Sequence, residues 1–260
     1  MKLSISNIAW NKEKDEEMYE CISQMGFDAI EIAPTRIFEE KPYENLDDAK
    51  KFAEDIMQKY NLKISSMQSI WYGKQEKIFA NEQERNILLE YTKKAIDFAS
   101  AIECNNLVFG CPKNRNINSE NDYEIAIDFF NRIGDYARKK NTIFAIEPNP
   151  TIYNTNFINT TKEALDIVKR INNDGIKVNM DLGTILQNDE CLEQIDFDNT
   201  NHIHISEPNL EIIQKRVLHT KLANILRESQ YKNYISIEMK KCDSLDDVKR
   251  VMEYVRSVFK

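Results

Sequence analysis

Five short apolar segments each hold an ionisable residue where an aliphatic one would be expected: Ile30-Glu31-Ile32, Ile146-Glu147, Met180-Asp181, Ile203-His204 and Ile237-Glu238. Side chains alternate across a strand, so if the isoleucines and methionines face covering helices, the carboxylates and the imidazole face inward. One buried carboxylate is commonly paired with an Arg or Lys and has no role in chemistry. Glu147, Asp181, His204 and Glu238, at or near the ends of four successive strand candidates, are hard to explain that way, because burying each charge alone is costly. One divalent cation compensates all of them. Oxygen-rich ligation with one imidazole suits Mn2+, Mg2+, Co2+ or Zn2+, and the sequence does not choose among these. His202 shares the inward parity of His204 one layer deeper and reads as a supporting or core histidine. His219 reads as an inert residue of a surface helix.

The elements that must position these residues follow from hydrophobic period. Strand patterns run over Lys2–Ile8, Ala29–Ala33, Lys63–Gln68, Asn106–Phe109, Ile143–Glu147, Lys177–Asp181, His202–Ser206 and Tyr234–Glu238. Helical patterns lie between them, near Glu13–Met25, Leu46–Tyr60, Glu82–Ile102, Asn121–Lys140, Thr161–Asn172, Leu210–Ser229 and Ser244–Phe259, with a shorter one near Cys191–Ile195. Small polar residues followed by acids open two of these, at Ser244 and Thr160. Strands alternating with helices, without a Pro/Gly/Ser-rich linker, imply parallel pairing. Eight such units in 260 residues predict an α/β fold, a single-domain (β/α)8 TIM barrel over residues 1–260, with chemistry at the C-terminal ends of the strands.

Composition narrows the partners. A formal charge of −8 disfavours binding a phosphodiester backbone, so no nucleic-acid partner is expected. Six glycines include no G-x-G-x-x-G and no phosphate loop. Five scattered cysteines without a Cys-x-x-Cys pair suggest neither a disulfide framework nor a thiolate zinc site, and fit a reducing cytoplasm. No long apolar run marks a signal peptide or a membrane span, so a soluble cytoplasmic protein with no membrane partner is expected.

The segments Glu147-Pro148-Asn149, Asn179-Met180-Asp181-Leu182-Gly183, His202-Ile203-His204-Ile205-Ser206-Glu207 and Ser236-Ile237-Glu238, with Gly26-Phe27-Asp28-Ala29-Ile30-Glu31-Ile32 at the second strand, resemble the xylose isomerase-like barrel superfamily, in particular its sugar phosphate isomerase/epimerase branch. That resemblance implies one divalent ion held by Glu147, Asp181, His204 and Glu238. Glu147 and Glu238 double as the proton-transferring pair on a sugar, sugar acid or sugar phosphate, through an enediolate. Where the ketose 3-epimerases of the branch carry a substrate-binding His and Arg, this chain has Thr184 and Leu210, and Tyr153 replaces an acidic residue after Glu147. Family members are often dimers or tetramers, so a homo-oligomer is compatible with the resemblance.

Other residues are candidates for holding the substrate. Lys113 and Arg115 follow strand four and suit a carboxylate or phosphate, the alternative being a solvated loop. Lys240 keeps the inward parity of Glu238, and Arg36 follows strand two. Gln68 and Trp71, with Tyr72, follow strand three and suit a hydrogen bond and a stacking wall, the alternative being cover for the core. Glu207 is a candidate auxiliary acid–base group, and Glu31 a partner of His202 or of a substrate hydroxyl. A metal-dependent dehydratase or lyase would use the same site, with Glu207 or Lys240 as the acid. A non-catalytic sugar-binding barrel and an abasic-site endonuclease complete the alternatives, the last disfavoured by three histidines in all.

Overall fold

A computed structural model describes residues 1–260 apart from the Gln194 side chain. Eight parallel strands close into one barrel in sequence order: β1 Lys2–Ser6, β2 Ala29–Ile32, β3 Lys63–Met67, β4 Asn106–Phe109, β5 Ile143–Ile146, β6 Ile176–Asp181, β7 Thr200–Ile205 and β8 Tyr234–Ile237. Around them run α1 Asp15–Gln24, α2 Pro34–Ile37, α3 Leu46–Tyr60, α4 Glu82–Ala101, α5 Asp122–Lys139, α6 Thr161–Ile171, α7 Leu182–Asn188, α8 Val217–Glu228 and α9 Leu245–Phe259. No described helix is long and apolar enough to cross a membrane.

All eight strands fall where period 2 and short apolar runs placed them, because a parallel sheet covered by helices must bury both faces. Ile30, Ile32, Ile146, Met180, Ile203, Ile205 and Ile237 are buried in the one continuous apolar core that includes the helices. The helices obey their caps: α6 opens with a full capping box between Thr160 and Glu163, and α9 opens on Ser244. Two expectations needed adjustment. The last barrel helix before β8 begins at Val217, since Asn209 and Leu210 have left-handed backbones and residues 208–216 form a loop. The short helix after β6 is α7, directly after Asp181, while Leu192–Gln194 forms only a 3-10 turn.

Two register irregularities lie beside the chemistry. One falls between Ile30 and Glu31 where β2 meets β3, the other between Val178 and Asn179 where β6 meets β7. Bulges re-aim the side chains that follow them, and here those are Glu31, Asn179 and Asp181.

Candidate metal centre and its cavity

Glu147 follows β5, Asp181 ends β6, His204 lies in β7 and Glu238 follows β8. One ligand atom from each lies within 4.8 Å of those from the others. His204 Nδ1 is 2.9 Å from Glu147 Oε1 and 3.1 Å from Glu238 Oε2. His204 is fully buried and Glu147 and Glu238 nearly so. Backbone pairing beyond the strands sets the two glutamates: Glu147 N donates to Phe109 O and Glu238 N to Ile205 O, both at 3.0 Å. Gly110 leaves room for the first of them, since a Cβ there would lie 2.8 Å from Glu147 Oε2.

Three of the four, Asp181, Glu147 and His204, are held from behind by neighbouring side chains, an arrangement suited to orienting metal ligands. Asp181 caps α7, accepting from Thr184 N at 2.6 Å and Thr184 Oγ1 at 2.9 Å, and its other oxygen accepts from Ser206 Oγ. Asn179 Nδ2 donates to Glu147 Oε1 at 2.7 Å. His204 Nε2 faces away from the quartet and meets Glu31 Oε2 at 3.0 Å. His202 Nε2 lies 3.1 Å from the same oxygen, without hydrogen-bond geometry. Gln68 Nε2 donates to Glu31 Oε1 at 3.1 Å. Glu31 is therefore the anion that orients His204 and leaves Nδ1 toward the three carboxylates.

The electrostatics expose a shortage of positive charge. Burial, then the neighbouring Glu147, pushes Asp181 up to about 6. Burial pushes Glu238 up to about 7 although His204 opposes the shift. Burial disfavours a charged His204, yet Glu238 and Glu31 outweigh it and hold the imidazole well above its usual range. Burial likewise opposes ionisation of Glu31, but His204 and His202 keep its carboxyl well below the usual carboxylate range. Three crowded carboxylates facing one imidazole nitrogen form a donor set that a divalent cation fits, in both ligand type and missing charge.

A cavity of about 230 Å3 opens above the quartet, lined by Glu147, Asp181 and Glu238 together with Gln68, Ser69, Val108, Gly110, Cys111, Pro112, Asn149, Tyr153, Glu207 and Leu210. Of the substrate candidates, Gln68 and Glu207 reach it. Both oxygens of Glu207 are engaged by Arg216, at 2.7 and 2.6 Å, which ties residues 208–216 over the barrel.

Arg115 is a correction. Expected at the mouth, it is fully buried and its guanidinium donates to Glu147 O at 2.8 Å and Ile158 O at 3.3 Å. Lys240 does not keep inward parity: the chain leaves β8 at Ile237, and its ammonium lies outside in an ion pair with Glu211. Lys113 is exposed on a 3-10 turn away from the cavity lining. Trp71 is core rather than a stacking wall, packed on Phe109 with Nε1 donating to Thr92 Oγ1 at 2.9 Å. Tyr72 is exposed, and Arg36 is committed to Asp15 at 2.6 Å. His219 is no surface residue but fully buried, its Nδ1 2.9 Å from the Tyr254 hydroxyl. Sequence reasoning gave no role to Asn179, Ser206 or Arg115's backbone contacts. For Asn179 a signal existed, since it shares the inward parity of Asp181 two residues on.

A family model described as a xylose isomerase-like TIM barrel matches residues 20–258, and the chain belongs to that family. No protein of curated function matches the chain in sequence. Among solved structures, the chain resembles a D-psicose 3-epimerase from Clostridium cellulolyticum with D-tagatose (TM-score 0.82, 14% identity, 100% of each chain covered). It also resembles an apo 3-keto-D-glucoside 4-epimerase from E. coli (0.79, 18%, 99% of each). A third is an AP endonuclease, family 2, from Brucella melitensis (0.75, 18%, 98% of this chain and 96% of that one). At these identities the likeness establishes the shared barrel.

Proposed function

We propose that the protein is a divalent-metal-dependent isomerase or epimerase of a small sugar. The observation that carries this is the convergence of Glu147, Asp181, His204 and Glu238 ligand atoms within 4.8 Å at the floor of a small cavity. Those four residues would hold the ion. When bound, it would polarise a carbonyl and an adjacent hydroxyl and so acidify the intervening C–H.

The chain's own residues supply the rest. Glu147 and Glu238 stand at the two ends of the β5–β8 row and both line the cavity. A sugar bound above the quartet would present its carbon chain to both carboxylates. One carboxylate taking and returning a proton on one face gives isomerisation, and two on opposite faces give epimerisation. Asn149 and Gln68 offer amide groups to hydroxyls. The neighbouring sugar epimerase structures support this reading. A dehydratase would need a free acid beside the substrate, and Lys240 and Glu207 are both committed to ion pairs. An acidic cavity in a chain of net charge −8 gives no support to a nuclease.

The test is elemental analysis and Mn2+ titration of the purified chain beside Asp181→Ala, followed by solvent deuterium uptake at carbon in a sugar panel. About one equivalent bound by the parent and lost in the variant is expected from one ligand set. A folded parent that binds no divalent ion at micromolar concentration refutes the reading.

A further inference from the structure

The cavity above the quartet is chemically graded. Its polar amides lie deep and are tied to the site carboxylates: Asn149 Nδ2 is 3.4 Å from Glu147 Oε2, and Gln68 is bonded to Glu31. Asn149 Oδ1 is buried and has no hydrogen-bond partner. The rim is apolar. Tyr153 Oη accepts from Asn209 N at 2.8 Å, and the Tyr153, Pro112 and Leu210 side chains form one part of the lining.

Leu210 is held there against its own preference. Its φ is +54°, next to Asn209 at +59°, and a leucine in the left-handed region is strained. Leu210 N donates to Glu207 O at 3.0 Å, and Lys240 N donates to Leu210 O at 2.7 Å. The ion pair of Glu207 with Arg216 fixes the same loop. Three separate contacts thus maintain an apolar side chain at the cavity edge.

Charge adds a second restriction. Among the described residues, no Lys, Arg or His lines the cavity, whereas Glu147, Asp181, Glu207 and Glu238 do. Arg216 neutralises Glu207. The three remaining carboxylates still exceed the charge of one divalent ion, so a phosphate or carboxylate on the substrate would meet a net negative wall with no cation to receive it.

We propose that the site selects an uncharged monosaccharide whose end remote from the quartet is a methyl group, a 6-deoxyketose in particular, with Leu210 as the residue that sets this preference. The proposal rests on the sugar reading above and narrows its substrate class. A cavity of about 230 Å3, smaller than the ~300–1,000 Å3 of pockets for drug-sized ligands, limits the ligand to a single sugar ring or its open chain.

The experiment is calorimetric titration of the Mn2+-loaded parent and of Leu210→Arg with the stereoisomeric 2-ketohexoses, their 6-deoxy analogues and their 6-phosphates, following solvent deuterium uptake in the same samples. For the stereoisomer that binds best, the 6-deoxy form should bind about tenfold more tightly than the 6-hydroxy form, whose hydroxyl would lie unpaired against Leu210. The 6-phosphate should bind at least about a hundredfold more weakly than the 6-deoxy form. Leu210→Arg should abolish the first preference and reduce the second. Equal or tighter binding of the 6-hydroxy or 6-phosphate form by the parent, no binding of any member, or an unchanged order in Leu210→Arg overturns the proposal. The expected binding order without deuterium uptake sustains it while refuting the isomerase reading, so the two fail separately.

Discussion

Replacing Arg115 by Met tests whether a buried cation bonded to backbone carbonyls exists to place a site residue. Burial pushes this guanidinium down to about 10 from 12.5, so keeping it charged at neutral pH costs the fold about 3 kcal/mol. Methionine removes that cost. It also removes two charge-assisted hydrogen bonds, to Glu147 O and Ile158 O, together contributing about 3–6 kcal/mol. The difference predicts a net destabilisation of only about 0–3 kcal/mol, measurable as a shift in urea midpoint. The site should suffer more than the fold, because the carbonyl released belongs to Glu147 itself. Mn2+ affinity is expected to fall about 10- to 100-fold, as for loss of other groups that orient ligands. Lysine should not rescue it, since one ammonium cannot reproduce the planar fork that spans both carbonyls. Unchanged Mn2+ affinity in a folded Arg115→Met would refute the positioning role, and a stability loss beyond about 5 kcal/mol would refute the cancellation.

Three further outcomes follow from other contacts. In Gly110→Ala the new Cβ would sit 2.8 Å from Glu147 Oε2, so Mn2+ affinity in calorimetry should drop by about tenfold or more while the urea midpoint moves little. Glu31→Gln removes the anion facing His204 Nε2, and Mn2+ binding should weaken about 10- to 100-fold; parental affinity in a folded variant would show that the tautomer is set elsewhere. His219 is held at about 4 by burial, against an ordinary 6.5. Above 6.5 it is neutral in both folded and unfolded chains and its contribution is complete. As pH falls toward 4 only the unfolded chain takes up the proton, and up to about 3 kcal/mol is lost. Urea midpoints across that window should fall more steeply in the parent than in His219→Gln, and parallel profiles would contradict this assignment.

How much of this was legible in the sequence depended on whether a local rule governed each residue. The strands were readable because a covered parallel sheet forces apolar runs, and Ile146-Glu147 and Ile237-Glu238 advertise a polar residue at the point where the run stops. The quartet was readable because alternation fixes the side of the strand and the barrel closure fixes which strands are neighbours. Lys240 shows where that logic ends: parity holds only while the backbone stays extended, and β8 stops at Ile237. Arg115 and Trp71 were unreadable for another reason. Both lie in segments that follow strands, and their side chains turn inward to partners remote in sequence, Glu147 and Ile158 for one and Thr92 for the other. The α7 cap marks an intermediate case, since Asp181-Leu182-Gly183-Thr184 carries a helix-start signal on a residue already assigned to the metal. One Asp181 oxygen accepts from Thr184 and the other from Ser206, so the helix start holds the carboxylate beside Glu147, His204 and Glu238. A site built this way ties its geometry to the fold's own hydrogen bonds, which is why its supporting residues, Asn179, Thr184, Ser206 and Arg115, are found by tracing donors in space and not by spacing along the chain.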